Sequence, residues 1–264
     1  FVPQRKDDFA WENDRIAFRM YGPELQRTEL TSSGIDVWVK SVRYPVMEKL
    51  YSEGDKYYHY DNGEGFDFYT VGESLGCGGL GALKGNKIYR SENFVSWKLI
   101  TNGPIRSVFE LTYKPWKLGD KISGEKKRIS LDLGSNFNFI ESSFSSDVDD
   151  AAIVTGIVNC TLGGNAVFGE DKTWLSYWHN PDETNGSIGC TVILPKGAAK
   201  NESANIDNHS LLCVKLSNSR SVAYYAGACW SKGADFISEE EWLKHVQKKV
   251  RLIENPLKVE VLPK

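Results

Sequence analysis

The chain has 264 residues, 25% of them charged, and a formal net charge of −3. That balance, without a long run of Lys or Arg, excludes a nucleic-acid partner held by a basic field, and no stretch reaches the ~18 apolar residues of a membrane-spanning helix. The length allows a large core, burying roughly three quarters of the unfolded surface, and favours one domain over residues 1–264 rather than two.

The chain opens on Phe1 rather than Met, as expected of a processed chain, a trimmed one or a fragment. Residues 16–20 and 46–51 read equally as short strands or turns. Alternation and β-branched or aromatic enrichment then predict strands over 35–42, 87–100, 107–113, 126–134, 137–145, 151–159, 173–178, 188–195, 211–217 and 221–229. Turn chemistry separates them at Lys84-Gly85-Asn86, Thr101-Asn102-Gly103-Pro104, Gly163-Gly164-Asn165 and Asn185-Gly186. One helix is predicted after Ser238, with an N-cap, acids in the first turn and bases in the last, and Trp242, Val246 and Val250 on its buried face. The expected architecture is a mostly β protein, a large antiparallel β-sandwich with a C-terminal helix.

Residues 57–83 hold one histidine and seven glycines, with Asp61 and Glu64 close behind His59. A histidine near acids and aromatics suits a sugar-handling acid–base site, and the glycines permit tight turns or a close approach to a ligand. Five cysteines, Cys77, Cys160, Cys190, Cys213 and Cys229, form no C-x-x-C motif. Cys160 and Cys213 read as small buried hydrophobes, and Cys77, between two glycines, lies in a site-like context. Phosphate-loop, nucleophile-elbow, zinc-protease and dinucleotide motifs are all missing from the sequence.

The blocks RKDDFAWENDRIAFRMYGP (5–23), GIDVWVKSVRYP (34–45), HYDNGEGFDFYTVGESLGCGG (59–79) and NGPIRSVFELTY (102–113) resemble a family of bacterial domains of unknown function. Two later blocks, SYWHNPDETNGSIGCTVILP (176–195) and YYAGACWSKG (224–233), share the resemblance. Members of that family are encoded in polysaccharide-utilisation gene clusters and include the ulvan oligosaccharide dehydratase. The resemblance implies a galactose-mutarotase-like supersandwich that is a catalytic domain, and a periplasmic or secreted location. It also implies an anionic, uronate-containing oligosaccharide as partner. The implied reaction removes water, as the C4 hydroxyl and the C5 proton, from a non-reducing-end uronic acid.

Such chemistry requires cations on the carboxylate, a base near C5 and an acid for the departing hydroxyl. A polysaccharide lyase acting by β-elimination meets the same list; a mutarotase- or epimerase-like enzyme and a non-catalytic glycan-binding module are further alternatives. Among the four histidines, His59 and His179 sit beside aromatics at expected strand ends and are the candidate acid–base groups. His245 reads as structural on the helix, and His209 as solvated. Tyr58, Tyr60 and Tyr177 adjoin the favoured histidines and are secondary catalytic candidates. Arg15, Arg43 and Arg106 are candidates for a bidentate carboxylate clamp, with Arg5, Arg128, Arg220 and Arg251 read as surface charges. Glu12, Asn13 and Glu64 are candidate sugar-binding groups, and Trp11, Trp97 and Trp178 candidate stacking platforms. Asp61 and Asp67 join Glu12 and Glu64 as acids able to orient a histidine. No cofactor is expected; a divalent metal is the alternative use of those acids, although their spacing matches no metal motif.

Overall fold

The computed structural model describes residues 1–148, 151–218, 220–258 and 260. Four short strands open the chain: β1 (Phe9–Glu12), β2 (Ala17–Met20), β3 (Asp36–Lys40) and β4 (Gly65–Phe66), with helices α1 (Pro23–Gln26), α2 (Met47–Glu53) and α3 (Asp55–Tyr58) in the connections. They pair antiparallel in the order β1-β2-β3-β4. Next come β5 (Cys77–Lys84), β6 (Lys87–Tyr89), β7 (Ser96–Asn102), β8 (Arg106–Leu118), β9 (Lys121–Asp132), β10 (Phe137–Phe144) and β11 (Ala152–Val158). The chain continues through β12 (Gly164–Phe168), β13 (Trp174–His179), β14 (Ile188–Ile193), β15 (Ala199–Ile206), β16 (His209–Val214), β17 (Ser221–Trp230) and helix α4 (Glu239–Glu254).

Eight strands form one sheet in the order β12-β13-β14-β17-β10-β9-β8-β7, and five form a second in the order β15-β16-β11-β5-β6. The two pack through one apolar core that includes Leu80, Ile129, Ile140, Ile153, Val192 and Leu212. Alternation produces this arrangement: β9 buries every second side chain from Ser123 to Leu131, so one face meets the core and the other meets solvent. The layers touch closely at Gly78, where a Cβ would lie 2.5 Å from the Ala226 Cβ and φ is +95°. Only glycine fits both constraints. Its carbonyl accepts hydrogen bonds from the Tyr224 hydroxyl at 2.8 Å and the Thr155 hydroxyl at 3.3 Å.

The small N-terminal sheet joins the same core, with Trp11 donating to Asn138 Oδ1 at 2.8 Å and its ring 4.8 Å from Phe109. Helix α4 covers the other face of the large sheet. The Ser238 side chain accepts from the Glu241 N–H at its N-terminus, while Trp242 and Val246 are fully buried and Val250 packs partly. The predicted cap and helix face are therefore found. Of the two ambiguous segments, 16–20 contains β2 and 46–51 falls largely in α2. Helix α2 begins where Glu12, from distant β1, accepts the N–H groups of Val46 and Met47. Strand 87–100 divides into β6 and β7, and β1, β4, the glycine-rich β5, β12 and β15 were not anticipated.

A candidate acid–base cleft beside His59

The N-terminal sheet builds the most highly charged buried cluster bordering a cleft. Arg19 of β2 lies directly opposite Asp36 of β3, so the strand register itself makes the ion pair. Arg19 Nη2 contacts Asp36 Oδ2 at 2.6 Å and Asp67 Oδ2 at 2.7 Å, and Nη1 lies 3.8 Å from Asp8 Oδ2. Its carbon centre is 4.9 Å from the ring centres of both Tyr21 and Trp38. Asp36 also accepts from Trp38 Nε1 at 3.1 Å, and Asp8 from the Gly22 N–H at 3.0 Å. Arg19 is 3% exposed, and its Nε and Nη1 make no hydrogen bond among the described residues.

Burial pushes the Asp8 carboxyl up to about 6 despite the Arg19 charge and the Gly22 N–H. Burial raises Asp36 and Asp67 as well, again opposed by Arg19. Burial also works against the Arg19 charge, but Asp36 and Asp67 keep it protonated. Several strongly shifted groups at one concave surface are a mark of a functional site.

His59 stands at the rim. It follows α3 as the C-cap, and the Asp67 N–H donates to the Tyr58 carbonyl at 2.7 Å, which fixes the two segments together. His59 Nδ1 lies 3.1 Å from the Asp67 carbonyl oxygen and 3.8 Å from its carboxylate. A proton on Nδ1 satisfies that carbonyl and leaves Nε2 as a lone-pair acceptor. The cleft holds about 330 Å³ and is lined by Arg5, Arg19, Tyr21, His59, Asp67 and Tyr69, among others. Burial raises the Tyr21 phenol, which stays a proton-bearing donor. Together these groups supply a base of fixed tautomer, cationic nitrogen and neutral donors around one space.

Most of the remaining predicted site residues lie elsewhere or are already occupied. Tyr58 is buried, its ring 4.7 Å from Trp38 and its hydroxyl accepting from Arg5 Nε, so it is a core residue. Tyr60 is 72% exposed and does not line the His59 cleft. Arg15 and Arg43 share Asp235, and Arg106 is bound through two nitrogens to Asp132. The clamp expected of these three arginines is thus filled by the protein's own carboxylates. Glu12 caps α2 and pairs with Lys40 at 2.5 Å, and Asn13 Nδ2 holds the carbonyls of Asp132 and Ser135. Glu64 accepts from Tyr44 and Lys49. Trp11 is in the core, and Trp178 packs partly buried in the cluster under α4. Trp97 stays 42% exposed, its ring stacked 5.2 Å from Phe1. Arg43, Arg106, Glu12 and Asn13 do share a smaller cleft of about 190 Å³, apart from His59.

His179 closes β13 as expected, but it lines a different cleft, with Tyr177 buried 5.2 Å from its ring. His209, expected in solvent, is buried, and its Nε2 accepts from the Leu75 N–H at 3.0 Å. His245 stacks on Trp242 and Phe137, a structural place as expected. Cys77 is buried in the core, its thiol donating to the Gly227 carbonyl, while Cys160 and Cys213 are only half-buried. Arg5 is half-buried on the cleft rather than a surface charge. Sequence reading missed Arg19 and Tyr21 altogether. The available signal was a charge inside an otherwise apolar strand, as in IAFRMY and IDVWV. Among the described residues no group of three or more His, Cys, Asp or Glu is arranged to hold a metal, and no helix is long and apolar enough to cross a membrane.

A family model described as a domain of unknown function, DUF4861, matches residues 1–259. A protein of Formosa agariphila designated "Uncharacterized protein P7" is 35% identical over 276 aligned positions, covering 99% of this chain and 69% of the relative. Among solved structures, a GH36 alpha-galactosidase AgaA of Geobacillus stearothermophilus in complex with raffinose is similar at a TM-score of 0.37 and 8% identity. That likeness covers 85% of this chain but only 41% of the galactosidase. The GH36 alpha-galactosidase AgaB of the same organism gives 0.37 and 9%, over 88% of this chain and 40% of its own. At such scores these structural likenesses carry no weight for fold or function.

Proposed function

The chain belongs to the DUF4861 family, and from that membership and the cleft beside His59 we propose that it is a glycan-processing carbon–oxygen lyase. In this reading it removes water from a non-reducing-end uronic acid of ulvan-type oligosaccharides, leaving a 4,5-unsaturated uronyl end. The observation that carries it is the meeting of a tautomer-fixed His59 and the cationic Arg19 on one cleft. The resemblance of the 5–23 and 59–79 blocks to the dehydratase-containing family supports the same reaction, and a periplasmic or secreted location with it.

The uronate carboxylate lies against Arg19 and Arg5. His59 Nε2 takes the C5 proton, and the charge that develops on the carboxylate is stabilised by the guanidinium nitrogens, where a buried site makes each contact worth more than in water. The C5–H electron pair becomes the C4=C5 bond as the C4–O bond breaks. The hydroxyl departs as water with the proton His59 collected, assisted by a hydrogen bond from Tyr21. Asp67 acts through His59, as a positioning residue that fixes the ring through its carbonyl.

Mass spectrometry of defined uronate-terminated oligosaccharides, followed in parallel by ultraviolet absorbance, tests this. Loss of one water without chain cleavage, with a new unsaturated chromophore, is the expected result. Cleavage of the chain with the same chromophore would replace the dehydratase by a polysaccharide lyase. No change on sulfated or unsulfated substrates would overturn the reading.

A further inference from the structure

The cleft that contains His179 is a separate space of about 270 Å³, walled from the His59 cleft by residues 68–71, which line both. Its polar lining includes Asn159, His179, Asn180, Asp182, Asn185 and Asn208. No Lys or Arg borders it, in contrast to the Arg5 and Arg19 side of the neighbouring cleft.

His179 is 8% exposed, and its Nε2 makes no hydrogen bond among the described residues. A buried imidazole nitrogen without a partner is costly unless a ligand or water completes it. Burial lowers its pKa to about 4, so at neutral pH it is an uncharged donor–acceptor. The tilted ring of Tyr69 at 5.4 Å and the edge-on ring of Tyr177 at 5.2 Å hold it in place.

Three of the amides use one end on the fold: Asn180 Nδ2 on the Leu162 carbonyl, Asn208 Nδ2 on the Asn159 carbonyl, and Asn159 Oδ1 on the Ser210 hydroxyl. Their other ends remain to serve as donors or acceptors toward hydroxyl groups. Val71, Leu162 and Ile188 supply apolar wall between them. Amides, one neutral imidazole and an apolar wall match the hydroxyls and C–H face of an uncharged sugar ring. Asp182, which also caps its own loop by accepting from the Thr184 and Asn185 N–H groups, would repel an anion.

We propose that this cleft is a binding subsite for a neutral sugar residue, adjoining the cleft that takes the charged one. The placement beside a catalytic cleft rests on the proposed function; the binding of a neutral sugar does not. Saturation-transfer NMR tests it with D-glucose, D-xylose, L-fucose and, as the anionic contrast, D-glucuronate. The proteins are the wild type, His179→Phe, Thr161→Trp and His59→Ala, each checked for folding by circular dichroism.

Thr161 is an exposed residue on the lining, so a tryptophan there fills the space without removing a buried partner, which keeps the test valid if His179→Phe does not fold. Transfer to at least one neutral sugar, lost in Thr161→Trp and in a folded His179→Phe but retained in His59→Ala, is the expected result. Absence of transfer to every neutral sugar, its survival in Thr161→Trp, or its loss in His59→Ala would overturn the proposal. Failure of the dehydration assay alone would leave these outcomes unchanged. A source within an oligosaccharide, rather than a free monosaccharide, is marked by a Thr161→Trp rise in KM for a tetrasaccharide but not for a disaccharide.

Discussion

Arg106 is exposed at the start of β8 with its fork on Asp132, whereas Arg19 is buried in β2 with both nearest carboxylates on a single nitrogen. Arg15 and Arg43 follow the first pattern through their shared Asp235. A guanidinium at the surface finds a carboxylate with little constraint from the fold, and the pair contributes little to stability. One fixed inside a sheet is held by register and surrounded by desolvated groups, so it cannot rearrange to satisfy all its donors. That difference explains why Arg43 and Arg106, which look like a ligand clamp in the sequence, each spend two nitrogens on one carboxylate, while Arg19 in its apolar strand does not.

The sharpest way to break this contrast is Arg19→Leu. Removing the cation leaves Asp8, Asp36 and Asp67 buried without their main partner, a loss of about 3–5 kcal/mol that lowers Tm by on the order of 10 °C. A denaturant titration showing a change below ~1 kcal/mol would mean that the cluster is solvated and the contrast false.

Next in size is the pH dependence of Asp8. Its folded pKa, about 6, is above the unfolded value of 3.8, so its stabilising contribution is complete below the unfolded pKa and disappears as pH rises through the folded one. Asp8→Asn removes that titration. The variant should therefore gain on the wild type by up to about 3 kcal/mol between pH 4 and 7. Parallel unfolding curves at several pH values check this, and a gap that stays constant or shrinks with pH would contradict it.

The smallest effects belong to the surface arginines. Arg43→Ala and Arg106→Ala should each change stability by less than ~1 kcal/mol, because their ion pairs are exposed. Turnover of the uronate substrate should stay within about twofold of wild type, less than half a kcal/mol on the barrier. A large loss of rate in either would return the clamp to the surface cleft.

Where order is local, the sequence was readable. The alternation of β9, the separate strands β10 and β17, and the Ser238 cap of α4 all follow from neighbours in the chain. Helix α2 was not readable, because the carboxylate that caps it comes from Glu12, 34 residues before Val46. Strand β15 is largely exposed and polar and β12 has no fully buried residue, so no buried face imprints a period on either. At the candidate site, His59 stood out for its aromatic and acidic neighbours. Arg19 did not, because its partners converge only when β2 and β3 pair and bring together Asp8, just before β1, and Asp67, just after β4.

The most direct test compares uronate dehydration by His59→Ala with that by Arg106→Ala, each with Tm measured beside the wild type. Loss of at least about 10²-fold in kcat for His59→Ala at unchanged Tm, with Arg106→Ala near wild type, is what a general base at His59 predicts. Equal turnover in wild type and a folded His59→Ala would contradict the assignment of this cleft as the place where water is eliminated.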